Sequence, residues 1–250
     1  MTKKQTLKKV LFIPDVHVPY HNKRAFNLML KVADDFKPDT IVISGDFGDF
    51  YSVSRFIKDP TRKNNLKWEI QEVNKELDKL DKLNSSLKIF VEGNHEFRLN
   101  RYINEKVPEL DGMLNIQQAF KLKERGWVHI PYRQDYKLGK VYLTHDVNQA
   151  GRYSIFRVLD TYMHSVITGH THRMAYIVES DGVGNPILSA TFGWLGDVSK
   201  IDYVHRITAV KNYVLGFGVG YIDQATGVLY ATPIPIIRNK CVLNGKMFQN

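Results

Sequence analysis

Val10-Leu11-Phe12-Ile13-Pro14-Asp15-Val16-His17 sets four apolar residues directly before a proline, an aspartate and a histidine. A short apolar run closed in this way reads as a buried strand that ends in a loop. The pattern recurs. Ile41 to Ile43 leads to Gly45-Asp46-Phe47-Gly48-Asp49, and Ile89 to Val91 leads to Gly93-Asn94-His95-Glu96. Val141 to Leu143 leads to Thr144-His145-Asp146, and Val166-Ile167 to Gly169-His170-Thr171-His172. Ligands bind where strand ends gather on one edge of an α/β sheet, so Asp15, His17, Asp46, Asn94, His145, His170 and His172 are expected to converge. Singly, each has an ordinary reading: a buried histidine is commonly a hydrogen-bonded core residue, and Asp or Asn after a strand is commonly a turn or cap residue. The ordered set points to a site.

Between these motifs the first half reads strand, helix, strand, helix, strand. A helix is predicted from about Lys23 to Phe36, ended by Lys37-Pro38-Asp39. Leu66, Ile70, Val73, Leu77, Leu80 and Leu83 recur at helical spacing and predict an amphipathic helix packed on the sheet. Another helix follows His95. The second half is β-rich, with strands predicted at Trp127 to Ile130, Lys140 to Thr144, Val166 to Thr168, Ala175 to Glu179, Pro186 to Thr191, Tyr213 to Asp223 and Gly227 to Pro235, and one helix from about Gly151 to Met163. Asp197 to Lys211 is expected to be a long mobile loop.

The 250 residues suffice for one full core and are expected to form a single catalytic domain, 1–250. No apolar run approaches the roughly 18 to 20 residues of a membrane span, and the apolar segment after Lys8-Lys9 is stopped by Pro14-Asp15, too soon for a signal peptide. Cys241 is the only cysteine, which excludes an internal disulfide and fits a reducing cytoplasm. The net charge of +9 suits attraction to phosphate-rich partners.

The five motifs, in this order from Asp15 to His172, resemble the calcineurin-like metallophosphoesterase superfamily, and the text around Asp49 to Phe56 is similar to small single-domain phage and prophage members. The resemblance implies a four-layer α-β-β-α sandwich of two mixed sheets flanked by helices, and a dinuclear metal-dependent phosphoesterase. It implies that Asp46 bridges two divalent ions, that Asp15, His17 and His172 complete one site, and that Asn94, His145 and His170 complete the other. Two such ions can share a hydroxide, aim it at phosphorus and neutralise the attacking and leaving oxygens. Imidazoles, carboxylates and an amide oxygen without thiolate suit Mn, Fe, Zn, Ni or Co, with manganese placed first. By the same resemblance His95 acts on substrate, as a protonated imidazole that donates to the leaving oxygen, and Asp49 holds its ring. Glu96 is expected to open the helix that follows, its charge meeting the helix dipole.

Arg98 and Arg101 share a helix face and are candidates for phosphate binding, with an exposed surface pair as the ordinary alternative. Phe47, Tyr51 and Trp194 are candidates for walling the pocket and stacking on a base, with aromatic core packing as the ordinary alternative. Protein Ser/Thr phosphatases of the superfamily carry Asp-Arg-Gly where this chain has Asp49-Phe50-Tyr51, which favours a nucleotide or nucleic acid phosphoester as substrate. A host cytoplasm is expected if the chain is phage-encoded. The rival readings are a protein phosphatase, a non-catalytic binding module of the same fold and a structural DNA-binding protein.

Overall fold

The computed structural model describes residues 6–59, 61–62, 65–200 and 210–250. In chain order the elements are β1 (Leu7–Ile13), α1 (Lys23–Phe36), β2 (Thr40–Ile43), α2 (Leu66–Asp81), β3 (Leu87–Val91), α3 (Phe97–Lys106), α4 (Ile116–Ala119), β4 (Trp127–Ile130), β5 (Tyr136–Leu138), β6 (Val141–Leu143), α5 (Ser154–Tyr162), β7 (Ser165–Thr168), β8 (Met174–Ser180), β9 (Pro186–Phe192), β10 (Gly216–Asp223), β11 (Leu229–Pro235), β12 (Lys240–Leu243) and β13 (Lys246–Gln249). Side chains punctuate the helices as the sequence suggests. The Asn22 carboxamide accepts the Ala25 N–H at 3.0 Å to start α1, and Lys37 ends it in the left-handed conformation before Pro38.

One sheet has the order β11-β10-β1-β2-β3-β4, parallel from β1 to β4 and antiparallel where β10 and β11 extend it. The other, β5-β6-β7-β9-β8, is parallel across β6, β7 and β9 and antiparallel at its edges. Alternate residues of a strand face opposite sides. Leu11, Ile13, Ile41, Ile43 and Phe90 therefore meet the helices, in a core with Phe26, Met29, Leu77 and Leu99. Val10, Phe12, Val42, Ile89 and Val91 meet Leu143, Ile167, Ala190 and Phe192 of the second sheet. With α5 covering the far side of that second sheet, against β7, β8 and β9, the fold is the four-layer α-β-β-α sandwich. Burial on both faces is why β1 to β3 read as unbroken apolar runs.

The sheets approach closely where β10 carries Gly216 and Gly218, at which an added Cβ would meet Met174 and Phe192 of the second sheet. A Cβ on Gly218 would lie 2.6 Å from the Phe192 ring, which stacks on Phe12 with centroids 5.1 Å apart.

Three features depart from expectation. The short strands β5, β12 and β13 carry no strong alternation and were not anticipated. The strand expected from Tyr213 starts at Gly216, because Leu215 bridges to Trp194 instead. On α2, Glu69 and Glu76 are buried beside the apolar stripe; Glu69 accepts the Ser52 N–H at 2.9 Å, and burial pushes its carboxyl up to about 7. Of the loop expected at 197–211, Val198–Lys200 is a 3-10 turn, and residues 201–209, with His205, lie outside the described residues.

Gly218→Ala is expected to lower the unfolding free energy by about 1–3 kcal/mol through overpacking against Phe192. Gly182→Ala, where nothing lies within 4 Å of the added Cβ, is expected to stay within about 0.5 kcal/mol of wild type. Denaturant titration of the two variants checks the contrast.

Candidate metal centre

The five predicted loops leave the carboxyl ends of β1, β2, β3, β6 and β7, and the parallel order of these strands brings the ends to one edge. Hydrogen bonds tie the two sheets there. The His145 Nδ1–H donates to the Ser44 carbonyl at 2.8 Å and the His170 N–H to Asp15 Oδ1 at 2.8 Å, while within the second sheet the Gly169 N–H donates to the His145 carbonyl at 3.0 Å. The loops fold back sharply. Asp15, His17, Asp46, His170 and His172 have φ of 23°, 57°, 50°, 69° and 55°, a region that costs non-glycine residues on the order of 1–3 kcal/mol each and clusters at functional sites. Close approach makes Gly93 obligatory, since a Cβ there would sit 2.1 Å from Asp46 Oδ1.

All seven predicted ligand residues converge, in two groups that share Asp46. Donor atoms of Asp15, His17, Asp46 and His172 lie within 4.8 Å of one another, as do those of Asp46, His145 and His170. Asn94 Oδ1 joins the second group, 3.2 Å from His145 Nε2 and 2.9 Å from His170 Nδ1. The donor chemistry calls for cations. His145 Nδ1 donates to a carbonyl, so in the neutral ring Nε2 is a lone pair, and it faces Asn94 Oδ1 and, at 3.3 Å, Asp46 Oδ2. His17 Nδ1 likewise faces Asp49 Oδ2 at 3.2 Å, which turns Nε2 toward His172 Nε2 at 3.0 Å. Asp15 Oδ2 and His172 Nδ1 are buried without a hydrogen-bond partner. Convergent lone pairs in a buried pocket fit divalent metal ions.

Charges reflect this crowding. Burial would raise the Asp46 carboxyl, yet His145 and His95 hold it well below the usual carboxylate range. Burial pushes Asp15 up to about 7 against the pull of His145, and Asp46 adds to the rise. Against burial, Asp46 and Asp15 push the His145 imidazole up to about 10, whereas burial and the nearby His17 hold His172 well below its ordinary value.

His95 and Asp49 lie beside the ligand groups. The His95 Nδ1–H reaches the Asp49 carbonyl at 3.0 Å and lies 3.3 Å from its carboxylate, while its N–H donates to Asp46 Oδ1 at 2.8 Å. Arg98 corrects the alternative of an exposed pair. It is buried, donating to the Asp49 carbonyl at 2.9 Å and, because a guanidinium only donates, to His95 Nε2 at 2.9 Å. Burial, reinforced by Arg98, brings His95 down to about 4, which favours the neutral imidazole over the imidazolium expected. Arg101 does not reach the centre; it is half-buried one turn farther along α3.

For the candidate stacking residues the structure favours packing over an open face. Tyr51 is 7% exposed, with its ring edge-on to Tyr20 and under the Arg62 guanidinium, so its faces are taken up by packing. Phe47 is buried against Phe26 and Phe90. Trp194 is buried and stacks on His172 at 4.8 Å, which makes it a support for a ligand ring. Tyr213, which no motif signals, packs edge-on to His172 at 4.5 Å. The histidines without motif support sit elsewhere: His129 pairs with Glu92, His164 stacks on Tyr142, and His21 is buried near Glu76.

Residues 8–213 match the family model described as calcineurin-like phosphoesterase. The chain belongs to that family. It is a phosphoester hydrolase, and its buried His and Asp groups are sites for divalent metal. This phosphoesterase is similar to the Gene 54 proteins of Mycobacterium phage L5, 22% identical over 97% of this chain and 99% of the relative, and of Mycobacterium phage D29, 24% identical with the same coverage. Among solved structures it is similar to a phosphoesterase from E. coli, at 14% identity and a TM-score of 0.42, covering 90% of this chain and 98% of that one.

One residue of the phosphoesterase does more than its sequence reading suggested. Glu96 is fully buried, and its carboxylate accepts N–H bonds from Gly93 at 2.8 Å, Asp46 at 2.9 Å and Gly48 at 2.8 Å. It thereby clamps the loop after β2 onto the loop after β3. The reach from Glu96 back to Gly93 has the spacing of a capping box, the one sequence signal that could have revealed it. Glu96→Ala leaves three buried donors without their acceptor and is expected to lower stability by about 3 kcal/mol or more, at 1–3 kcal/mol per donor. Glu96→Gln, which keeps one acceptor oxygen, is expected to fall between, and metal content measured alongside denaturation should drop in the same order.

Proposed function

We propose that residues 1–250 act as one catalytic domain that hydrolyses nucleotide or nucleic acid phosphoesters with two divalent ions, manganese first among them. The observation that carries this reading is that two compact donor groups share the single carboxylate of Asp46. Asp15, His17 and His172 would hold one ion and Asn94, His145 and His170 the other, with Asp46 between them. When bound, the ions supply Lewis-acid neutralisation at phosphorus and lower the pKa of water. The protein's own part is orientation. Asp49 fixes the His17 ring with its carboxylate and the His95 ring with its carbonyl.

Arg98 and His95 form a pair that an incoming phosphate can divide. A phosphate oxygen taking the Arg98 N–H from His95 Nε2 would bring negative charge to the imidazole and favour its protonated form. The ring would then gain its proton as substrate binds and release it from Nε2 to the leaving oxygen. A neutral resting His95 is thus consistent with a general acid.

The net charge of +9 supports an anionic, phosphate-rich substrate. Phe50 is buried and packs on Phe120 with centroids 5.6 Å apart, so no phosphate-binding side chain occupies the place of the protein-phosphatase arginine. The lone, buried Cys241 and the lack of any described helix long and apolar enough to cross a membrane are compatible with action in a host cytoplasm.

Asp46→Asn is expected to reduce bound metal at both sites, read as metal per chain by elemental analysis; unchanged stoichiometry with retained activity overturns the bridging role. His95→Asn is expected to keep its metal while turnover falls about 10²- to 10⁴-fold, with a smaller loss for esters whose leaving group needs no proton. Wild-type rates on every ester would exclude that role.

A further inference from the structure

We propose that Arg101, together with Arg55, forms a second anion subsite beside the metal centre, with Phe56 as the adjoining face for a base, so that the enzyme recognises a nucleic acid strand carrying a phosphate and a base next to the ester it cleaves. The inference rests on the nucleic acid reading above and deepens it.

α3 begins at the metal centre, and Arg98 and Arg101, three residues apart, share its face. Arg98 is engaged by Asp49 and His95, but Arg101 has no hydrogen bond or ion pair among the described residues. Its neighbours are positive: burial, then Arg55, then Arg98 hold its guanidinium below the ordinary value, with no carboxylate offsetting them. Arg55 is tied to Glu105 and remains exposed. This leaves an uncompensated guanidinium, half-buried, one helical turn from the residues that face the cleaved ester. An anion placed there supplies the negative charge that Arg101, unlike Arg55 and Arg98, lacks among the described residues.

A second observation selects the kind of anion. The chain after Tyr51–Val53 presents Phe56 and Ile57 at 64% and 96% exposure. The Phe56 ring centroid lies 5.9 Å from the Arg98 guanidinium carbon. An open aromatic ring within a cluster of guanidinium groups, beside a site that binds phosphate, matches the alternation of phosphate and base along a single strand. A mononucleotide would leave Arg101 unpaired; a strand supplies the further phosphate it lacks.

The test uses the manganese-loaded enzyme with a thymidine dinucleotide, which has one phosphate, a thymidine trinucleotide, which has two, and an abasic analogue of the dinucleotide. Arg101→Ala is expected to lower kcat/KM for the trinucleotide about tenfold more than for the dinucleotide, as loss of one charge-assisted phosphate contact. Phe56→Ala is expected to lower kcat/KM for the dinucleotide about tenfold more than for its abasic analogue. Binding of a fluorescent single-stranded oligonucleotide, followed by anisotropy, should lose about 0.7 of its logarithmic salt slope in Arg101→Ala. Equal losses on all three substrates, or an unchanged salt slope and ratios, overturn the subsite while leaving nucleic acid hydrolysis standing. A wild-type enzyme that hydrolyses simple phosphodiesters but neither nucleotide substrate overturns the substrate reading and the subsite together.

Discussion

The structure is organised around a concentration of lone pairs that only cations can reconcile. In the neutral ring, His145 Nε2 points at the oxygens of Asn94 and Asp46, while His17 and His172 meet nitrogen to nitrogen at 3.0 Å. Groups that all accept repel one another in a buried pocket, where the local dielectric strengthens the repulsion. Without metal, protons must stand in, as the elevated His145 and Asp15 indicate. A dication satisfies the same lone pairs at once, and its binding then contributes directly to the stability of the fold.

Holding such a cluster together has a structural cost that the rest of the fold offsets. Five of the seven candidate ligand residues adopt left-handed backbone conformations, and five of the seven are buried. The compensation comes from backbone groups fastened elsewhere. Glu96 gathers three N–H donors from two loops, and the Ser44 carbonyl receives the His145 ring from the other sheet. The apolar layer between the sheets, centred on Phe12 and Phe192 against the bare backbone of Gly218, keeps the two sets of loops in register. The separation of roles is clear: apolar packing sets the distance between sheets, and polar bonds set the aim of each ligand.

Around this centre the side chains differ in freedom. Asp49 and Arg98 lock the His95 ring from both sides, which restricts it to a geometry useful to a bound phosphate. Trp194 and Tyr213 pack against the His172 ring, one stacked and one edge-on. Exposure is left to the segment around Phe56 and Ile57.

The sequence by itself determined the five strand ends and the residues that gather on them, because both depend on local regularities: short apolar runs and polar residues directly after them; the layered architecture followed from the family that the ordered motifs resemble. The positions of Asp15, His17, Asp46, Asn94, His145, His170 and His172 were legible for this reason. Only the tertiary structure decided where Arg98 points, that Tyr51 is enclosed by Tyr20 and Arg62, and that Glu96 serves the loop after β2 across fifty positions of sequence. Those outcomes depend on which loops meet, and contacts between segments far apart leave no spacing to read. The edge strands β5, β12 and β13 escaped notice for a related cause, since pairing with a neighbour rather than their own alternation makes them strands.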